Sequence, residues 1–336
     1  MRRLKLSTQR SSRGSAAGFI ILIIAVCLAS FAIIYRQTIV DHVVALEFQP
    51  GPGVMQLATN AGMNNNGKFI YRASQPEIDT RSNFNAVCAN KDAQTAVLGC
   101  YVNDRIYIYD VTDPQLAGIK TVTAAHEMLH AAYARLSPSE RTHVDSMVEA
   151  AYQKLQGQDD LKARMAIYAK TEPGERDNEL HSVLGTEIGN LPSDLENYYK
   201  QYFSDRAKVV AAHAAYQSVF TNLQSEASTI QTQMKQLQVE IESSSANYTA
   251  AVNQLNSDIQ SFNKRAEAGD FASQADFTSA RNALETRADS LATERDAVNA
   301  LIDKYNSLNS KLAAIAEQDQ QLNQNINSSL PAAPQV

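Results

Sequence analysis

The apolar positions of this chain change period several times, and each change marks an element. Gly14 to Tyr35 carries no charge and has an apolar heart from Phe19 to Leu28. About 20 such residues at about 1.5 Å each span a hydrocarbon layer of roughly 30 Å, so 18–36 is predicted to be a transmembrane helix. Residues 37–50 read as a membrane-proximal stalk ending in Pro50-Gly51-Pro52-Gly53. A short helix follows over 54–61, closed by Gly62, and Asn64-Asn65-Asn66-Gly67 reads as a turn before a strand over 68–72. In the run 101–111, Ile106 and Ile108 alternate with Tyr107 and Tyr109 after Asn103-Asp104. That is the pattern of a hairpin whose second strand packs one face and presents aromatics on the other.

From Thr121 to Leu136 the chain is rich in Ala, Met and Leu, without Pro or Gly, as in a buried helix. Ser137-Pro138-Ser139-Glu140 is a capping box that opens a helix to about Gln156, closed by Gly157. Further helices are predicted over 160–170 and over 179–188, the latter capped by Asp177 or Asn178, with a turn at Glu172-Pro173-Gly174 between them. A second capping box at Ser193-Asp194-Leu195-Glu196 opens the next. Tyr216, Phe220, Leu223, Ala227, Ile230, Met234, Leu237 and Ile241 then follow spacings of four and three, a heptad seam. It weakens at Ser243-Ser244-Ser245, resumes with Tyr248, Leu255 and Phe262, and stops at Gly269. A second arm runs through Leu284, Ala288, Leu291, Val298, Ile302, Tyr305, Leu308, Leu312, Ile315, Leu322 and Ile326. Two arms around a break predict an antiparallel helical hairpin, with a coiled coil between chains as the competing arrangement.

Composition narrows the partners. The net charge of −6 excludes nucleic acid as a main partner. Arg2, Arg3, Lys5, Arg10 and Arg13 precede the apolar run, so the N-terminus is expected in the cytoplasm and everything after Arg36 outside it. Leu28-Ala29-Ser30 is a poor cleavage site, which favours an uncleaved anchor over a signal peptide. Cys88 and Cys100 flank a short polar loop, and in an oxidising compartment they are expected to form one disulfide; the alternative is two unrelated buried thiols.

The chemistry lies in His126-Glu127-Met128-Leu129-His130, an H-E-x-x-H pattern. On a helix, residues four apart share a face, so both imidazoles can reach one metal ion. Glu127, beside that face, can take a proton from water that the metal activates. A random match is expected in roughly one such chain per hundred. The apolar flanks make chance a poor account, because two histidines are costly to bury without partners. A tetrahedral zinc needs one more protein ligand and leaves a fourth position for water. No histidine follows within 131–138, and the later segment 178–187 offers Glu179 and Glu187.

With these residues the chain resembles the gluzincin, thermolysin-like, metallopeptidases. In that class the third ligand is a Glu, often in an Asn-Glu pair, with a small residue three positions on and an Asp or Asn four positions on. Asn178-Glu179 with Ser182 matches the first part. The resemblance therefore implies Zn2+ held by His126, His130 and Glu179, with Glu187 in reserve and Glu127 as catalytic base. Val183 stands where the class has the carboxylate that orients a ligand histidine. The resemblance covers 121–136 and 177–190. The whole chain is also similar to membrane-anchored bacterial proteins that carry the same kind of motif.

The expected fold class is α+β, mainly α. The expected layout is a cytoplasmic basic tail (1–17), a transmembrane helix (18–36), a small zincin-like metallopeptidase domain (37–204), a coiled coil (205–328) and a flexible tail (329–336). The leading function is a single-pass, cell-membrane-anchored, extracytoplasmic zinc peptidase acting on a peptide or protein substrate. It would meet the lipid bilayer through 18–36 and a partner, or a second copy, through 205–328. The competing function is a non-enzymatic envelope scaffold whose zinc site is structural or decayed. His181 and Tyr133 are weak candidates for a second oxyanion donor. The 107–109 strand reads as an ordinary sheet strand, with an edge for an extended substrate as the alternative. His42, His143 and His213 are expected at the surface.

Overall fold

The computed structural model describes residues 20, 22–27, 30–31, 35–88, 97–155, 157, 159–171 and 174–328. The chain is mainly helical, with one small sheet and two long C-terminal helices. It divides into two compact units, one comprising residues 1–216 with 325–336 and the other 217–324. Of the expected membrane segment 18–36, residues 20, 22–27, 30–31 and 36 are helical and, with Tyr35, exposed, and the rest lies outside the described residues. No helix among the described residues is long and apolar enough to cross a membrane.

The first unit begins with α1 (Arg36–Glu47), α2 (Val54–Asn60) and α3 (Asn65–Ala73). The stalk expected over 37–50 is therefore largely a helix, and it is packed: Asp41 and Ala45 are buried. The strand expected over 68–72 is also a helix. Asn64 caps it by accepting from the Gly67 amide at 2.9 Å, and Gly67, Ile70, Tyr71 and Ala73 form its buried side. The side-chain oxygen of Asn64 satisfies a free amide of the first turn, so helix wins over the strand preference of the Phe-Ile-Tyr run.

β1 (Glu77–Asp79), α4 (Arg81–Val87), β2 (Gly99–Val102) and β3 (Arg105–Tyr109) follow. The sheet order is β1-β3-β2, with β1 parallel to β3 and β2 antiparallel to it. Asn103 and Asp104 have φ of 52° and 59°, as a two-residue hairpin turn requires. Ile106 and Ile108 are fully buried. β3 is the central strand, paired on both sides, so 107–109 is an ordinary sheet strand and offers no edge to a substrate. Cys88 and Cys100 are joined as a disulfide with Cα atoms 5.9 Å apart.

A 3-10 turn (Pro114–Leu116) leads into α5 (Ile119–Ala134), then α6 (Pro138–Lys154), α7 (Asp159–Thr171), α8 (Arg176–Glu187) and α9 (Ser193–Tyr199). The Ser137–Glu140 capping box forms in both directions, 2.8 Å from the Ser137 amide and 3.4 Å from the Glu140 amide. The second expected box does not form. Pro192 is the cap residue of α9, and Glu196 is taken by Arg206 instead. A guanidinium is a stronger partner for a carboxylate than a single backbone amide. α8 likewise starts earlier than expected, which puts Asp177 and Asn178 inside its first turn. α5 and α8 form the centre of the core; a Cβ on Gly185 would press into Leu129 and Tyr199. Glycine there lets the two helices approach closely.

α10 (Ala207–Ala268) and α11 (Gln274–Ile326) supply the second unit. α10 runs unbroken through Ser243-Ser244-Ser245. Ile230, Leu237 and Leu308 pack together with Met234, Leu301, Tyr305, Leu312 and Ile315. Phe262, Phe271 and Phe277 stack near the turn, where Gly269 takes φ of 73°. Arg287 pairs with Asp258. These pairings make the two arms an antiparallel hairpin within one chain. Ile302, assigned to the seam, is exposed, and Leu301 packs instead: a straight α-helix drifts against a strict seven-residue repeat.

Candidate metal centre

α5 carries His126 and His130 on one face, and α8 brings Glu179 to them from its first turn. His130 Nε2 lies 3.0 Å from His126 Nε2 and 3.3 Å from Glu179 Oε1, and His126 Nε2 lies 3.6 Å from Glu179 Oε2. Metal bonds of about 2.1 Å at tetrahedral angles set donor atoms roughly 3.4 Å apart. The three separations bracket that value. Glu179 Oε2 is buried and has no hydrogen-bond partner, an expensive state that a cation would relieve. Among the described residues, His126, His130 and Glu179 form the one group of three such side chains able to share a metal ion.

The electrostatics point the same way. Burial pulls the His126 imidazole down, but the carboxylates of Glu179, Glu127 and Glu187 outweigh it and raise it to about 9. His130 is held below the usual imidazole range by burial and by His126. Burial raises Glu179, and the two imidazoles outweigh it, leaving the group below the usual carboxylate range. The site thus holds a stable carboxylate and favours one positive charge.

His130 has a clear orienting partner. Its Nδ1 lies 3.0 Å from Asn178 Oδ1, and Asn178 Nδ2 donates to Glu175 Oε2 at 3.0 Å. Because the Asn178 amide donates to Glu175, its oxygen faces the ring; the ring then donates from Nδ1 and leaves the Nε2 lone pair for a metal. Sequence reasoning looked for this support at position 183. Val183 is a buried core residue, and the support comes from the residue just before Glu179. As a helix cap Asn178 looked committed elsewhere, and only the earlier start of α8 frees its side chain.

Glu127 is buried against β2. A Cβ on Gly99 would lie 2.6 Å from Glu127 Oε1 and 2.5 Å from Thr123 Cγ2, so only glycine lets the strand sit over this part of α5. Gly99 lies before the 101–111 run expected to form the hairpin, so the close approach shows only once β2 is seen to begin at this glycine.

Glu187, the reserve ligand, is not in the group. It pairs with Arg164 at 2.6 Å and with His213 at 3.3 Å. Burial raises Glu187, and His213 and Arg164 overcome that, holding it at about 2. His213, expected at the surface, is mostly covered because it closes this cluster. His42 and His143 are exposed. His181 and Tyr133 face elsewhere: His181 Nε2 meets Tyr198 at 3.0 Å, and Tyr133 donates to Asp145 at 2.6 Å. Tyr168 and Arg164, four apart on α7, were missed. Burial raises the Tyr168 phenol, and the carboxylates of Glu179, Glu187 and Glu127 add to that. A Tyr four residues after an Arg has no motif, and only the packing of α7 on α8 brings it here.

Comparison with family models, with curated proteins and with solved structures gives no match.

Proposed function

We propose that this chain is a zinc-dependent peptidase of the gluzincin kind, anchored to a membrane through its N-terminal apolar segment and working outside the cytoplasm. The observation that carries the reading is Glu127. A metal site that only held the fold together would need His126, His130 and Glu179 and nothing more. Here a further carboxylate is buried on the same helix, one residue from His126 and about 100° around the axis.

Zinc at His126, His130 and Glu179 would supply a Lewis acid that acidifies water and polarises a scissile carbonyl. Glu127 takes the proton of the attacking water and returns it to the leaving amine. Asn178 keeps His130 in the tautomer that presents Nε2. The disulfide suits an oxidising compartment.

Metal analysis and hydrolysis of a peptide library test the proposal together. The purified chain is expected to hold one equivalent of zinc, lost in His126→Ala. Glu127→Gln is expected to keep the zinc and lose hydrolysis. Equal hydrolysis by Glu127→Gln and the parent would end the peptidase reading and leave the non-enzymatic envelope protein.

A further inference from the structure

α1 leaves most of its large aliphatic side chains outside. Its inward side is anchored by polar groups: Asp41, buried, accepts from Arg135 at 2.8 and 2.9 Å and from Gln37 at 3.0 Å. Arg72 donates to the carbonyls of Ala45 and Phe48, and at the margin of this side the exposed His42 lies against the Phe69 ring. The outward side carries Ile39, Val40, Val43 and Leu46, which are 44%, 45%, 49% and 83% exposed. Their spacing places them in one stripe along the helix. Elsewhere in the described residues after Glu47, exposed large aliphatics stand singly, as at Val87, Ile167, Val239, Ile259 and Ile302.

We infer that this stripe is a membrane-docking surface, seated at the headgroup and upper acyl level of a phospholipid bilayer. Chain continuity identifies the occupant. The stripe begins at Ile39, one helical turn after the uncharged run Gly14–Tyr35, whose described large side chains Ile20, Leu22, Ile23, Ile24, Val26, Phe31 and Tyr35 are all exposed. A bilayer that takes this run lies next to the stripe. Tyr35 and Arg36 stand at the junction, where a phenol and a guanidinium suit the interface between lipid and water. The ion pair between Asp41 and Arg135 stops the helix from rolling its apolar side inward. An apolar stripe seated at this level reaches roughly 5–10 Å into the boundary between headgroups and acyl chains.

The docking has a consequence for the metal centre. Arg135 is the residue that ends α5, five positions after His130. The ion pair therefore ties the membrane-facing helix to the helix that carries both histidines. The inference rests on the anchoring part of the proposed function and on none of its catalytic part.

The test uses the full chain with Cys27→Ser, reconstituted in phosphatidylethanolamine–phosphatidylglycerol vesicles. The Cys88–Cys100 disulfide stays intact, and a nitroxide is placed on Val43→Cys, Leu46→Cys or the exposed Lys154→Cys. Flotation reports anchoring, and collision with oxygen against a nickel chelate reports immersion. Labels at 43 and 46 are expected to favour oxygen several-fold over the label at 154. Failure to float overturns the anchoring reading and this inference together. Flotation with labels at 43 and 46 as open to nickel as the label at 154 overturns the docking alone. Shielding from both reagents means that protein, a partner or a second copy, covers the stripe, and also overturns it. Because Leu46 is so exposed, its substitution does not disturb the fold.

Discussion

Gly99→Ala is the change that best separates the base from the metal. The added methyl would sit 2.6 Å from Glu127 Oε1 and 2.5 Å from Thr123 Cγ2, where ordinary contact begins at 3.4 Å. The Glu127 carboxylate must retreat by about 0.8 Å, or β2 must lift from α5 by a similar amount. A misplacement of about 1 Å at a reacting group can cost roughly 100-fold in rate. Overpacking of this kind also costs roughly 1–3 kcal/mol of stability. His126, His130 and Glu179 are not touched, so zinc content should stay at one equivalent. The expected result is kcat/KM lowered about 100-fold on a fluorogenic peptide, with full zinc and a melting temperature lower by several degrees. Thr123→Ser in the same chain removes Cγ2 and keeps the hydroxyl that bonds the Ile119 carbonyl at 2.9 Å. The double variant should therefore recover stability and little of the activity. Parental activity in Gly99→Ala, or loss of zinc, would refute the reasoning.

The other predictions address the surroundings of the site. Asn178→Ala should weaken zinc binding roughly 10–100-fold, as measured by chelator competition, with Asn178→Asp losing less because it keeps an acceptor for His130 Nδ1; unchanged affinity in Asn178→Ala would remove its orienting role. Glu187 is held at about 2, below the 4.5 of a free carboxylate, so its pairing with Arg164 and His213 contributes fully above 4.5 and is lost as pH falls towards 2. The drop corresponds to on the order of 3 kcal/mol. Urea unfolding at pH 7 and pH 3 should therefore show a steeper loss in the parent than in Glu187→Gln, and parallel losses would contradict the assignment. Replacing Cys88 and Cys100 together by Ser should cost about 3 kcal/mol for a loop of this length, read as a lower urea midpoint; an unchanged midpoint would mean the loop is already constrained without the bond.

Legibility in the sequence followed the range of the interaction. The four-residue spacing of His126 and His130 is a property of one helix, so it could be read without the rest of the chain. So could the Ser137–Glu140 box, the Asn103-Asp104 turn and the two heptad arms, because each depends on residues within a turn or two of one another. Lys68–Arg72 went wrong for the same local reason: Phe-Ile-Tyr favours a strand, and a single capping oxygen on Asn64 tips it to helix. Whether Glu179 or Glu187 joins the histidines depends on how α8 lies against α5. They are eight residues apart on one helix, more than two turns, and cannot both reach the pair.

What the sequence determined by itself was the chemistry on offer: two imidazoles on one helix face with a carboxylate beside them, a cysteine pair, a hairpin of heptads and an apolar leader. The tertiary structure decided the assignments. Gly185 brings α8 close enough for Glu179 to meet the imidazoles, Gly99 brings β2 down onto Glu127, and the early start of α8 turns Asn178 from a cap into the support of His130. It also sent Glu187 to Arg164 and His213, and turned the aliphatic side of α1 outward by burying Asp41 against Arg135. The physical reason is that each of these depends on partners distant along the chain, whose apposition is fixed by packing and not by any local period.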